Sequence, residues 1–152
     1  MKITSSVEYA TRLMVCLARA QGQAMTGERL AQSENVPGDY VNQILLRLRR
    51  AGLVESQRGA GGGYSLSRPP AQIDLGQVIR AVDGKVFEQV CGKYEGGDKD
   101  CRHQGHCAIS PVWSRLGALI EQYLEGVTLD RLVEEGQGAC SKLAWLDKIP
   151  LG

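Results

Sequence analysis

The stretch Leu53 to Ser67, LVESQRGAGGGYSLS, restricts the fold of this chain more than any other. Two short runs, Leu53 to Arg58 and Tyr64 to Ser67, flank Gly59-Ala60-Gly61-Gly62-Gly63 and are predicted to pair as strands of a glycine-tipped hairpin. Pro69-Pro70 closes the unit. The glycines do not form a phosphate-binding loop of the Walker type. That loop ends in Gly-Lys-Ser/Thr, whereas these glycines lead into Tyr64-Ser65-Leu66.

Three helices are predicted ahead of the hairpin. Ser5-Ser6-Val7-Glu8 has the form of a capping box, with Ser5 as N-cap and Glu8 three residues on. Behind it Ala10, Leu13, Met14 and Leu17 recur at helical spacing, so an amphipathic helix runs to about Ala20 and Gly22 ends it. Thr26 caps a second helix that stops near Asn35-Val36-Pro37, and Pro37 suits the first turn of a third. There Tyr40, Val41, Ile44, Leu45 and Leu48 form one apolar stripe, and Asn42, Gln43, Arg47, Arg49 and Arg50 lie off it. After the hairpin, Asp74 caps a fourth helix through Val78, Ile79 and Val82 to Gly84.

Three helices followed by a hairpin is the order of a winged helix-turn-helix. The expected fold is mainly α with a small β-hairpin wing and a long C-terminal dimerisation helix. Residues 1–85 form the DNA-binding domain, 86–110 a cysteine-rich loop, and 111–152 the dimerisation helix and tail. Ser110-Pro111 is predicted to start that helix, with Ser110 as N-cap. Its stripe of Val112, Trp113, Leu116, Leu119, Ile120, Tyr123 and Leu124 is too wide for a lone surface helix. A short helix follows from Thr128 to Val133, and from Glu134 the chain is expected to be loose.

No run of 18 apolar residues exists, so no membrane helix is expected. Glu8, Arg12 and Arg19 interrupt the first apolar stretch, against a secretory signal, and the protein is expected in the cytoplasm. Residues 1–70 carry nine Lys/Arg against five Asp/Glu, and residues 71–152 carry nine against twelve. The basic half suggests an anionic partner for the first half only.

That partner is expected to be double-stranded DNA. An α-helix fits the major groove, and Asn42 and Gln43 are types that pair bidentately with adenine. Arg47, Arg49 and Arg50 are expected mostly to hold the backbone, and Arg58 at the wing tip suits a narrow minor groove.

Val90 to Cys107, VCGKYEGGDKDCRHQGHC, holds three of the five cysteines, both histidines and four glycines. An odd cysteine count without an export signal favours metal or redox chemistry over a disulfide framework. Cys16 lies beside Leu13 and Leu17 and reads as a small core residue, while Cys140 sits in the tail as an adventitious thiol.

The start MKITSSVEYATRLM, the segment LLRLRRAGLVESQRGAGGGYSLSRP and the three-cysteine loop ending in CAISPVW resemble the bacterial IscR/NsrR/RirA-type winged-helix regulators over roughly residues 1–135. The resemblance implies a homodimer on a near-palindromic operator, with an iron–sulfur cluster as sensor. Such clusters need soft thiolates, which Cys91, Cys101 and Cys107 offer from a loop that glycines let turn inward. Their separations of nine and five residues match neither a zinc ribbon nor a ferredoxin.

Three thiolates leave a fourth ligand to be found. His103 and His106 lie within the loop, and Cys140 could fold back from the tail. IscR-like members place a histidine three positions after the last cysteine, where this chain has Ser110. NsrR-like members place a carboxylate in the first helix, matched here by Glu8, and it binds the partner subunit's cluster. Glu8 could also complete the capping box when the cluster is absent. By resemblance a 4Fe-4S cluster is the first choice and a 2Fe-2S cluster the second.

The expected function is a non-enzymatic DNA-binding regulator, a repressor, sensing iron status, nitric oxide or redox stress. A second reading keeps the winged helix but gives the loop a zinc site on Cys101, His103, His106 and Cys107, or a thiol–disulfide switch. A third makes the chain an iron–sulfur enzyme or electron carrier, for which it offers no nucleophile–base pair, nucleotide loop or ferredoxin spacing.

Overall fold

The structure, a computed structural model, describes residues 3–87 and 107–136. The order is α1 (Ser5–Arg19), α2 (Gly27–Glu34), α3 (Gly38–Arg50), β1 (Val54–Gln57), β2 (Gly63–Leu66), a 3-10 turn (Pro70–Gln72), α4 (Leu75–Asp83), α5 (Ser110–Glu125) and α6 (Leu129–Glu135). This is the winged helix-turn-helix followed by a longer helix that the sequence predicts.

The start of α1 differs from expectation. Thr4, not Ser5, is the N-cap, and its Oγ1 accepts from the Val7 N–H at 3.3 Å. Glu8 therefore lies one position beyond the place a capping-box acid occupies, and its side chain is not part of the cap. The helix begins one residue early because Thr4 is held from outside: its hydroxyl donates to Asp83 Oδ2 at 2.7 Å. Thr26 caps α2 as expected, accepting from the Arg29 N–H, and Asn35 ends it in the left-handed conformation (φ 52°). Pro37 stands just before α3 rather than in its first turn.

The core forms where α1 and α3 cross beneath α4. Leu13, Met14, Leu30, Val41, Ile44, Leu45, Leu48, Ile73 and Val78 are essentially inaccessible to water. Truncating one of these large side chains to Ala would cost about 2–5 kcal/mol. Tyr40 is half-buried, with its ring meeting Tyr9 edge-on at 5.6 Å and its hydroxyl 2.6 Å from Ser6 Oγ. Arg12 adds an ion pair from α1 to Glu34 at 3.1 Å.

The wing pairs β1 and β2 antiparallel in the register Val54↔Leu66 to Gln57↔Gly63. Its base docks on the segment between α1 and α2. Met25 and Tyr64 exchange both backbone hydrogen bonds, at 2.9 and 2.8 Å. A Cβ on Gly63 would sit 2.5 Å from the Met25 carbonyl, so only glycine permits this approach.

Asp74 caps α4, accepting from the Gln77 N–H at 2.8 Å. Arg80 on α4 pairs with Glu121 and approaches Glu125 at 3.9 Å, fastening α5 alongside. The ring of Phe87 lies on buried Gly117 of α5. After α5 the chain returns to the core. Leu75 N donates to Val127 O and Leu129 N to Ile73 O, both at 2.9 Å, and Leu129 of α6 is fully buried. Among the described residues no helix is long and apolar enough to cross a membrane.

Candidate nucleic-acid interface and cysteine site

The buried stripe of α3 leaves the opposite face to solvent. Asn42, Gln43, Arg47, Arg49 and Arg50 are all exposed there, and Arg58 is exposed at the wing tip. The side-chain oxygen of Asn42 leans on the first residue of α2, where a Cβ on Gly27 would come within 3.0 Å of it. The cationic side chains gather in the last turn of α3, where the helix dipole favours positive charge.

Two features of this face were not expected from sequence. Leu46 is 45% exposed between Gln43 and Arg47, an apolar side chain among polar ones. Arg47 Nη1 donates to the Val82 carbonyl of α4 at 2.8 Å, so part of its guanidinium is engaged inside the protein.

Cys107 is the one member of the cysteine triplet among the described residues, and it is half-buried. Its Sγ accepts from the Ser110 N–H at 3.3 Å. Ser110 is thus the first residue of α5 and its N–H goes to sulfur, whereas the sequence suggested Ser110 itself as the cap. Hydrogen bonds of this kind orient and tune a sulfur ligand. Cys91, Cys101, His103, His106 and Cys140 lie outside the described residues, and no metal-binding cluster occurs among the described ones.

Glu8 is exposed, and its carboxylate has no hydrogen-bond or ion-pair partner among the described residues. At the two points the structure describes, a sulfur oriented by an N–H stands at the start of α5 and an exposed carboxylate stands outside the cap of α1, donor types that an iron–sulfur group accepts. Cys16, read from sequence as a small core residue, is half-buried at the edge of the core, with its Sγ 3.9 Å from Met25 Sδ and 3.5 Å from Ser33 Oγ.

The exposed side of α5 carries Val112, Trp113 and Leu116, with Ile109 just ahead of it. Its other side borders a cleft of about 410 Å³ lined by Ile3, Val7, Ile79, Leu119 and Tyr123 among others. The stripe read from sequence therefore covers two faces, one turned to the body and one to solvent.

Comparison with known proteins agrees with this architecture. IscR of Aliivibrio salmonicida is 34% identical over 138 residues, covering 90% of this chain and 80% of that protein. The solved structure of T. potens IscR superposes with a TM-score of 0.72 at 26% identity, covering 97% of this chain and 96% of that one. The structure of CymR, the global cysteine regulator of B. subtilis, gives 0.68 at 29% identity, covering 88% and 97%. The Rrf2 family, described as iron-dependent transcriptional regulators, matches residues 3–135, and this chain belongs to it as a DNA-binding transcriptional regulator.

Proposed function

We propose that the protein is a homodimeric repressor that reads a near-palindromic operator and senses iron status, nitric oxide or redox stress through an iron–sulfur cluster. Cys91, Cys101 and Cys107 would hold the cluster, with Glu8 of the partner subunit as the fourth ligand. A 4Fe-4S cluster is favoured and a 2Fe-2S cluster is the second choice. The observation that carries this reading is Glu8: the cap of α1 is made without it, and its carboxylate stands exposed. The iron-dependent description of the family and the relatives named IscR support it.

When bound, the cluster supplies a centre whose oxidation or loss reports the signal. The chain's own residues do the rest. Glu8 ties the first helix of one subunit to the cysteine loop of the other, which sets the distance between the two α3 helices. Releasing Glu8 lets the reading heads drift from the half-site spacing of about 34–36 Å. Val112, Trp113 and Leu116 on α5 supply the dimer contact. On DNA, Asn42 and Gln43 read base edges, Arg49 and Arg50 hold phosphate, and Arg58 enters the minor groove, while Arg47 is engaged by the Val82 carbonyl.

The second reading keeps the DNA-binding module and gives the cysteine loop thiol or zinc chemistry. The solved neighbours include Staphylococcus aureus CymR in an oxidised form, at 30% identity and a TM-score of 0.65, which favours keeping the thiol switch in view.

Anaerobic purification distinguishes the two. The cluster reading expects a coloured protein with iron, acid-labile sulfide and a cluster Mössbauer signature, lost in Cys91→Ala, Cys101→Ala and Cys107→Ala. Glu8→Ala should keep iron but change the spectrum or its reactivity with nitric oxide. A colourless protein with stoichiometric zinc, or a spectrum indifferent to all four substitutions, overturns it.

A further inference from the structure

The last turn of α4 is the place where three parts of the molecule meet. From α3, Arg47 Nη1 donates to the Val82 carbonyl at 2.8 Å. From the start of α1, the Thr4 hydroxyl donates to Asp83 Oδ2 at 2.7 Å, one helical turn before Glu8. Downstream the chain passes through Val86, which lines the cleft beside α5, to Phe87, whose ring is seated on Gly117. Cys91 follows four residues later.

The chemistry of this turn favours these attachments. The last carbonyls of a helix have no intrahelical donor, and a guanidinium there answers both the missing hydrogen bond and the negative end of the dipole. Val82 is buried, so turning Arg47 wholly outward to a phosphate would leave its carbonyl short of a donor away from water. A charge-assisted bond of this kind is directional and stiff.

We infer that Arg47 is a positioning residue: with Thr4 and Asp83 it makes the Val82–Asp83 turn a relay that passes the state of the cysteine loop to the recognition helix of the same subunit. The inference rests on the proposed cluster-sensing function and adds a route inside each subunit to the change in spacing between subunits. Displacement of the cysteine loop moves Phe87 and the turn it leaves. The turn holds α3 through Arg47 and the Glu8 end of α1 through Thr4, so both reading helix and ligand helix feel one element. Coupling of two sites requires such a shared element.

The test compares full-length parent, Arg47→Met and Asp83→Ala, each as anaerobic holo protein and as apo protein. The probe is an operator fragment selected from random duplex DNA by the parent, titrated over a range of KCl. The parent is expected to bind the two ways with affinities differing at least tenfold. In Arg47→Met and in Asp83→Ala that ratio falls to within about twofold, with the logarithmic salt slope unchanged.

Arg47→Met lowering holo and apo affinity alike, with the slope reduced by about one, would make Arg47 a phosphate contact only and overturn the relay. Asp83→Ala lies off the reading helix and the wing, so it decides the matter if Arg47→Met does not fold; a parental ratio in Asp83→Ala overturns the relay. A parent whose holo and apo forms bind equally overturns the cluster-sensing function itself, and the relay with it. A parent that responds while both variants respond equally well overturns the relay alone.

Discussion

Phe87 lies so close to Gly117 that a Cβ at position 117 would come within 2.7 Å of the ring carbon Cδ1. The contact holds the chain leading to the cysteine loop against the helix that follows the loop. Gly117→Ala is therefore pulled two ways. Alanine is the better helix former by about 1 kcal/mol, whereas overpacking a close contact costs about 1–3 kcal/mol. Urea unfolding should show Gly117→Ala to be destabilising in the parent. In a Phe87→Ala background the same substitution should stabilise by about 0.5–1 kcal/mol. A destabilisation of equal size in both backgrounds would show that the ring is not the obstacle.

Gly63 presents the stricter case, because its obstacle is backbone. Its φ of 152° and the 2.5 Å approach to the Met25 carbonyl leave no side chain room while Met25 and Tyr64 stay paired. Gly63→Ala should cost about 2–4 kcal/mol, combining backbone strain with a clash that cannot relax. Protection of the Tyr64 and Met25 amides against hydrogen exchange should be lost at the same time. Retained protection with parental stability would contradict the docking of the wing.

Thr4 and Glu8 should separate cleanly by experiment. Thr4 caps α1 and also holds Asp83, so Thr4→Ala should lower apo stability by about 1 kcal/mol or somewhat more. Glu8→Ala removes an exposed carboxylate outside the cap and should leave apo stability within about 0.5 kcal/mol of the parent. Denaturant midpoints on cluster-free protein decide it. A Glu8→Ala loss as large as that of Thr4→Ala would restore Glu8 to the cap.

On DNA, Arg49→Ala and Arg50→Ala should each weaken binding to every sequence and reduce the logarithmic salt slope by about one. Gln43→Ala and Leu46→Ala should act differently. Each should lose about 1–3 kcal/mol of discrimination at one base position, Leu46 at a thymine whose methyl group it touches, with the slope unchanged. Anisotropy titrations on single-substitution operators read both quantities. A uniform loss from Leu46→Ala would place that side chain on the backbone.

The fold was legible because its signals were local and mutually consistent. Thr26 and Asp74 are caps at the positions the sequence indicated, the α3 stripe is buried at Val41, Ile44, Leu45 and Leu48, and the glycine run does join two strands. What sequence reasoning missed depended on partners far along the chain. Thr4 and Ser5 are adjacent residues of nearly equal capping power, and Asp83 decides between them. Ser110 looked like a cap until the sulfur of Cys107 took its N–H. Arg47 lies on the polar face by periodicity, yet its acceptor is a carbonyl 35 residues later. Phe87, Arg80 and Asp83 carried no pattern at all, since their meaning comes from α5 and α1 packing beside them.

The return of the chain from α5 bears on how this molecule could be cut. The Asp74–Thr128 bridge brings Leu129 home beneath α1, where no water reaches it. A fragment stopped after Lys85 would keep every letter of its DNA-reading vocabulary and still carry a hole under its first helix. The shortest piece worth expressing as an autonomous reading head therefore includes Leu129, and with it the whole of α5 in between.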